Sequence, residues 1–141
     1  MSDPVYTLDI LRLATSLPLA PTLEQADGRA ERRSATCGSR IATEVRLTDG
    51  RVAEVAQGVQ ACAFGQASAA LLNRFAVGRT PLELAAARVA LRGWLAGSGQ
   101  PPAGYEVLEP ARTKTGRHGA ILLPFDALIA ALDDALQERA T

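Results

Sequence analysis

The sequence predicts an α+β fold, in which a small antiparallel sheet built on a β-hairpin carries helices on one face. Asp49-Gly50, the strongest short signal for a two-residue hairpin loop, lies between two alternating segments. Apolar residues recur at helical spacing both before and after these segments. The 141 residues, with 48% hydrophobic content, are enough to bury one core, so we expect a single domain over residues 1–141.

The chain is expected to open with an amphipathic helix over Asp3–Leu17, with Asp3 at the N-cap and Pro4 in the first turn. Its apolar residues repeat at helical spacing: Val5, Leu8, Ile10, Leu11, Leu13 and Leu17. Pro18 ends this helix, and the polar run over residues 24–33 is expected to form a loop. The arginines of that run form either a solvated face or a docking surface: Arg29, Arg32 and Arg33.

The hairpin register makes a prediction about the two cysteines. If Asp49 and Gly50 form the loop, Thr48 faces Arg51, and the same register extended outward sets Cys37 opposite Cys62. A bulge at Gly58 would shift this pairing by one residue. We therefore expect the two thiols at one end of the hairpin, close enough to share a site or to form a disulfide.

Three helices are expected after the hairpin: one near Ala67–Val77 that ends at Gly78, one over Pro81–Ala96, and one over Pro124–Gln137. Thr80-Pro81-Leu82-Glu83 has the pattern of a capping box. Pro124 is suited to the first turn of the last helix. We interpret Trp94 as a packing residue rather than a ligand platform.

Cys62 is the residue around which the predicted site is organised. A small-residue helix follows it at once, so free N–H groups and the positive helix end point at the sulfur, which favours thiolate. The alternative is that Cys62 is a small buried hydrophobe.

Familiar catalytic signatures are missing, and His118 is the only histidine in the sequence. There is no GxSxG, HExxH or glycine-rich phosphate loop, so catalysis by a side-chain triad is not expected. His118 is interpreted either as an exposed loop imidazole or as a soft-metal ligand brought toward the two thiols.

Composition limits the partners. Fifteen basic residues balance fifteen acidic residues, which argues against binding to nucleic acid or to an anionic membrane. No run approaches the ~20 apolar residues of a membrane span, and the N-terminus lacks the pattern of a signal peptide. We expect a cytoplasmic protein, in which two cysteines are more often thiols or metal ligands than a structural disulfide.

Two cysteine motifs and a C-terminal motif resemble the iron–sulfur cluster assembly scaffolds of the IscU/SufU/NifU-N-terminal type. The order is Cys37-Gly38, a hairpin, Cys62 with an Ala/Ser-rich helix, and then Arg117 and the stretch Leu123–Leu128. The resemblance extends from the first helix onward, and the long segment after Cys62 is more similar to SufU than to IscU. It implies a small antiparallel sheet with helices packed on it.

The resemblance implies a site of three cysteines and an aspartate that holds zinc or a nascent cluster and receives sulfur from a cysteine desulfurase. This chain has Ser39 where the family has the aspartate, and Ala120 where it has the third cysteine. Cys37 and Cys62 remain as metal ligands and sulfur acceptors. Gly38 and Arg117 match the surrounding motifs.

Three hypotheses follow. The first is a divergent scaffold or sulfur acceptor that is not an enzyme and binds zinc, iron or a cluster through Cys37, Cys62 and His118, with Ser39 or water fourth. The second is a module that binds a partner such as a cysteine desulfurase but holds no cluster. The third is a thiol enzyme with Cys62 as nucleophile and His118 as base.

Overall fold

The computed structural model describes residues 7–17, 23–34 and 38–140, and the side chains up to residue 137. Within these residues the α-helices are α1 (Leu8–Ala14), α2 (Ala63–Ala76), α3 (Pro81–Leu95) and α4 (His118–Ala140). The strands are β1 (Gly28–Arg33), β2 (Arg40–Thr48) and β3 (Arg51–Gln60). Two 3₁₀ segments, Tyr105–Ala111 and Thr115–Arg117, precede α4.

The described strands form one antiparallel sheet in the order β1-β2-β3. Asp49 and Gly50 both have positive φ, 54° and 76°, as a two-residue type I′ loop requires. Thr48 pairs with Arg51, as expected. The α+β class and the hairpin at its centre are therefore confirmed.

A β-bulge lies close to the loop rather than at Gly58. Leu47 pairs with Val52, but Arg46 pairs with Glu54, so Ala53 is the extra residue of β3 and the register moves by one. This shift changes which face odd-numbered residues of β3 occupy, and it turns Gln57 into the core beside the buried residues of β2. Gly58 itself pairs regularly with Ala42.

The expectation of a loop over residues 24–33 was wrong for its second half, because β1 occupies Gly28–Arg33 as an edge strand. Its charged side chains are mostly exposed, so the strand lacks an apolar alternation. Helix α4 packs directly on it: a Cβ added at Gly28 would lie 2.1 Å from the Ala131 oxygen. Asp134 Oδ2 also accepts the Arg29 N–H at 2.9 Å, which covers part of this edge.

Three helix starts differ from expectation. Helix α2 begins at Ala63, four residues before the expected start at Ala67. Helix α1 begins at Leu8, where the Ile10 N–H donates to Thr7 Oγ1 at 3.3 Å, and the proposed cap Asp3 lies outside the described residues. Helix α4 begins at His118, six residues before Pro124, which sits inside the helix. Proline is common in the first turn of a helix, which is why the sequence predicted a start at Pro124. In α4, however, the residues from His118 to Leu123 are already helical before the proline.

The end of α2 and both ends of α3 agree with the sequence within one residue, whereas α1 ends at Ala14 instead of Leu17 and α4 continues to Ala140 instead of Gln137. Helix α3 has the complete capping box between Thr80 and Glu83, and Gly78 has φ 86° just after α2. The helices cover one face of the sheet: α4 packs on β1 and β2, and α2 packs on β3. Helix α1 lies against α2, and α3 against α4. Trp94 is 5% exposed in the resulting core, which confirms its interpretation as a packing residue.

Among the described helices, none combines the length and the hydropathy that a membrane span requires.

Candidate functional site

Cys62 lies at the N-terminus of α2, as the sequence predicts. It is the N-cap residue, with extended backbone angles (φ −65°, ψ 170°), and its thiol is free and half-buried. The Gln66 N–H donates to the Cys62 oxygen at 2.9 Å, which closes the first turn. Gln66 Nε2 donates to the Ala61 oxygen at 3.0 Å and fixes the approach to that turn. The peptide N–H groups of this turn therefore lie next to the thiol.

Cys37 lies outside the described residues, so its closeness to Cys62 stays a prediction. The observed register, extended outward, sets Gly38 rather than Cys37 opposite Cys62. The β2–β3 ladder ends at the pair Arg40 and Gln60, and Gly38 and Cys62 each lie two residues beyond that pair. The segment with Cys37 is bounded by a hydrogen bond from the Ser34 N–H to the Ser39 oxygen at 2.9 Å. Its described ends thus lie at the Cys62 end of the sheet.

Ser39 and Gly38 line the same end of the sheet in different environments. Ser39 is 3% exposed, so its hydroxyl belongs to the interior. Gly38 is exposed and has φ 72°, a backbone conformation that favours glycine. A shallow cavity of about 280 Å³ opens here, lined by Arg33, Ser34, Gly38, Ser39, Arg40 and Gln60.

Ala120 lies against the first turn of α2. It is fully buried, and a Cβ added at Gly65 would lie 3.4 Å from its Cβ and 3.2 Å from its oxygen. Ser68 Oγ donates to the Ile121 oxygen at 2.6 Å and holds the two helices together. The position at which the family has its third cysteine is therefore adjacent to the turn that begins at Cys62.

His118 is not in a loop, because it is the first residue of α4. Its Nε2 lies 3.0 Å from the Ala111 oxygen and 3.0 Å from the Arg112 oxygen. Both partners are carbonyls, which only accept, so Nε2 carries the proton and donates to them. The imidazole thus caps the C-terminal end of the 3₁₀ segment Tyr105–Ala111. Nδ1 is the ring nitrogen that stays available to a metal.

The starts of two helices and three arginines lie at this end of the sheet. Helices α2 and α4 start side by side at Gly65 and Ala120, so the positive ends of two helix dipoles lie near Cys62. Arg33 and Arg40 border the cavity beside it, and both pair with Glu31, at 3.6 and 3.3 Å. Arg117 is exposed just before α4.

Among the described residues, which do not include Cys37, no three His, Cys, Asp or Glu side chains form a group that could hold a metal. The set Cys37, Cys62 and His118 is therefore not tested by the structure. Sequence reasoning missed Gly65 as part of the site. The signal was present, because a glycine within an Ala/Ser-rich helix indicates a close neighbour.

No protein-family model matches this sequence, and no curated protein does either. Solved structures do match. The N-terminal part of a nitrogen-fixing NifU-like protein from Brucella abortus is 34% identical, with a TM-score of 0.86, and the match covers 96% of this chain and 97% of that one.

Two further solved structures share the fold at lower identity. A putative iron–sulfur cluster assembly scaffold protein for the SUF system from Fervidobacterium islandicum is 20% identical, with a TM-score of 0.78, and the match covers 94% of this chain and 99% of that one. A hypothetical protein is 17% identical, with a TM-score of 0.74 and coverage of 89% and 94%.

Proposed function

This chain belongs to the family of NifU-like N-terminal domains, and we propose that it acts, as a single cytoplasmic domain, as a divergent iron–sulfur cluster assembly scaffold or sulfur acceptor. The description of the SUF-system neighbour as a putative iron–sulfur cluster assembly scaffold supports this proposal. The observation that carries the proposal is Cys62 at the start of α2, beside the start of α4.

Sulfur acceptance needs only one accessible thiolate. In the proposed step the Cys62 thiolate attacks the outer sulfur of a desulfurase persulfide, a new S–S bond forms on Cys62, and the desulfurase thiolate leaves. No outside oxidant or reductant is needed, because one S–S bond replaces another. The adjacent helix N-termini would stabilise both the attacking thiolate and the anionic persulfide product.

Cluster or metal binding makes stronger demands on the same site. The cargo would be held by Cys37 and Cys62, with His118 through Nδ1 and Ser39 or water as the weaker ligands. Two thiolates and an imidazole hold less tightly than three thiolates and a carboxylate. We therefore propose a labile site that binds zinc, iron or a nascent cluster transiently.

The engagement of His118 Nε2 with two carbonyls supports a second candidate function. A histidine that serves as a cap leaves Cys37 and Cys62 as the only strong ligands. The protein would then be an interaction module that binds a cysteine desulfurase without holding a cluster.

Persulfide transfer separates these functions from each other. Tag-free protein is incubated anaerobically with a cysteine desulfurase and cysteine, and sulfur on each thiol is measured by mass spectrometry after alkylation. A sulfur acceptor gains one sulfur on Cys62, and Cys62→Ser abolishes that gain. Desulfurase binding without sulfur on either cysteine, together with no iron or zinc retained after reconstitution, would support the interaction module instead.

A further inference from the structure

The buried face of the sheet has one polar pair between apolar pairs. Thr43 of β2 pairs with Gln57 of β3, and their exposures are only 1% and 0%. The ladder pairs on either side are apolar and belong to, or pack against, two separate clusters of the core: Val45 with Val55, and Ile41 with Val59. Burying polar side chains is unfavourable unless they are hydrogen-bonded, so both residues of the polar pair need partners.

The amide of Gln57 has a fixed orientation. Its Nε2 donates to the Ala69 oxygen at 2.8 Å and to Asn73 Oδ1 at 2.9 Å, both on α2. The Ala69 carbonyl only accepts, so the amide nitrogen, and not the amide oxygen, faces α2. Both amide hydrogens are therefore used, and Oε1 is an acceptor that needs a donor.

Two buried atoms of this pair, Thr43 Oγ1 and Gln57 Oε1, make no hydrogen bond to any residue in the described part of the chain. They are complementary, because a hydroxyl can donate and an amide oxygen can accept. The residues next to them are small: Ala30 pairs with Thr43 on β1, and Ala69 lies on the helix side of Gln57. Polar atoms on opposed residues, with small neighbours, meet the two requirements of an internal water, which are polar partners and room.

We propose that one water molecule is bound between Thr43 and Gln57 as an integral part of the fold. The water accepts the hydrogen of the Thr43 hydroxyl and donates one of its own hydrogens to Gln57 Oε1, so both atoms are satisfied. The chain of hydrogen bonds then runs from β2 through the water and the Gln57 amide to the Ala69 oxygen. The water thereby links the central strand of the sheet to α2, the helix that starts after Cys62.

The β-bulge near the hairpin loop creates this site. Without the extra residue Ala53, the hairpin register would set Ala56 opposite Thr43, and Gln57 would lie on the outer face of the sheet. The water site is independent of the proposed function, because none of the proposed metal ligands or sulfur acceptors takes part in it.

Thr43→Val tests the proposal through the sign of its effect in urea denaturation, since valine has nearly the shape of threonine without the hydroxyl. If the water is bound, the variant removes one of its partners and weakens the support of Gln57 Oε1. The equilibrium constant for unfolding should then rise at least about fivefold. If the Thr43 hydroxyl has no partner, the variant deletes a buried unsatisfied group, and the constant should fall instead. Thr48→Val is the matched control, because Thr48 is exposed on the same strand and its replacement should change stability little.

A crystal structure of the wild type at about 1.5 Å resolution identifies the partner of the two atoms directly. We expect density for one water within about 3 Å of both Thr43 Oγ1 and Gln57 Oε1. A structure without that water would overturn the proposal, and so would one in which the Thr43 hydroxyl donates directly to Gln57 Oε1. A Thr43→Val variant as stable as the wild type, or more stable, would overturn it as well.

Discussion

Gly65 of α2 and Ala120 of α4 touch, and their contact sets how closely the two helix starts approach beside Cys62. A Cβ at residue 65 would lie 2.8 Å from the Ala61 Cβ and 3.2 Å from the Ala120 oxygen. Neither neighbour is the free end of a flexible side chain, so one of the elements must move. A change at this contact is therefore expected to affect both the stability of the fold and the spacing of the two helix starts beside Cys62.

Gly65→Ala should lower the free energy of unfolding by about 1–3 kcal/mol, because the added methyl overpacks this contact. Chemical denaturation monitored by circular dichroism measures the loss. Gly119→Ala is the control: it lies in the first turn of α4, and a Cβ there meets nothing within 4 Å. Alanine should be neutral or stabilising at residue 119. Equal losses for both variants would contradict the role of the Gly65 contact.

Local chemistry explains why much of the fold can be predicted from the sequence. Asp49-Gly50 has one well-favoured loop geometry, and Thr80 with Glu83 forms a cap from residues only three apart. The apolar residues of α4 at helical spacing predict the helix from Pro124 onward, but they do not predict that it begins at His118. The first turns of α4, from His118 onward, are held against α2 by the hydrogen bond from Ser68 to the Ile121 oxygen. A contact between residues so far apart in the chain cannot be predicted from local sequence.

The elements that sequence reasoning missed are those made by tertiary contacts. β1 has no apolar alternation, and it forms because Gly28 admits the backbone of α4 and Asp134 accepts the Arg29 N–H. The bulge at Ala53 moved the hairpin register by one residue, although the loop was predicted correctly. At the site, the position of Cys62 followed from local sequence, whereas the use of His118 Nε2 as a cap did not.

Gly28→Ala should be more damaging than Gly65→Ala. Its Cβ would lie 2.1 Å from the Ala131 oxygen and 2.7 Å from the Ala135 nitrogen, so α4 must move away from β1. We expect a loss of about 3 kcal/mol or more. Gly116→Ala, where a Cβ has open space, should leave the midpoint of denaturation nearly unchanged. Wild-type stability in Gly28→Ala would mean that α4 does not pack on β1 this closely.

Tyr105 should make the protein sensitive to alkali. Its hydroxyl donates to the Ser68 oxygen at 2.8 Å in the core, and burial raises the pKa of Tyr105 above its usual value near 10. Below about pH 10, the tyrosine is protonated in both the folded and the unfolded state, and Tyr105 makes its full contribution to the stability of the fold. As pH rises above about 10, the unfolded state loses the tyrosine proton first, and stability falls by up to about 1.4 kcal/mol per pH unit.

Tyr105→Phe provides the comparison. It should be about 1 kcal/mol less stable than the wild type at pH 7, because a buried hydrogen bond is lost. It should also lose stability less steeply between pH 10 and about 11.5, which urea denaturation at several pH values measures. Parallel pH dependence in the two proteins would show that Tyr105 titrates normally.

The last prediction separates the two possible roles of His118. His118→Ala should lower stability by about 1–2 kcal/mol even without metal, because the Ala111 and Arg112 oxygens lose their donor. Weaker metal binding by that variant would therefore be ambiguous. His118→Gln is the matched variant, since its amide can donate to the carbonyls but is a poor ligand for zinc or iron.

Zinc titration and anaerobic reconstitution with iron and sulfide are then compared in the wild type, His118→Gln and Ala120→Cys. If His118 is a ligand, His118→Gln should bind at least about tenfold more weakly than the wild type. Ala120→Cys should bind more tightly than the wild type, because a thiolate at residue 120 lies beside the turn of Cys62. If His118→Gln binds as the wild type does, His118 is a cap alone. If only Ala120→Cys retains metal, the natural protein binds its partner without holding a cluster.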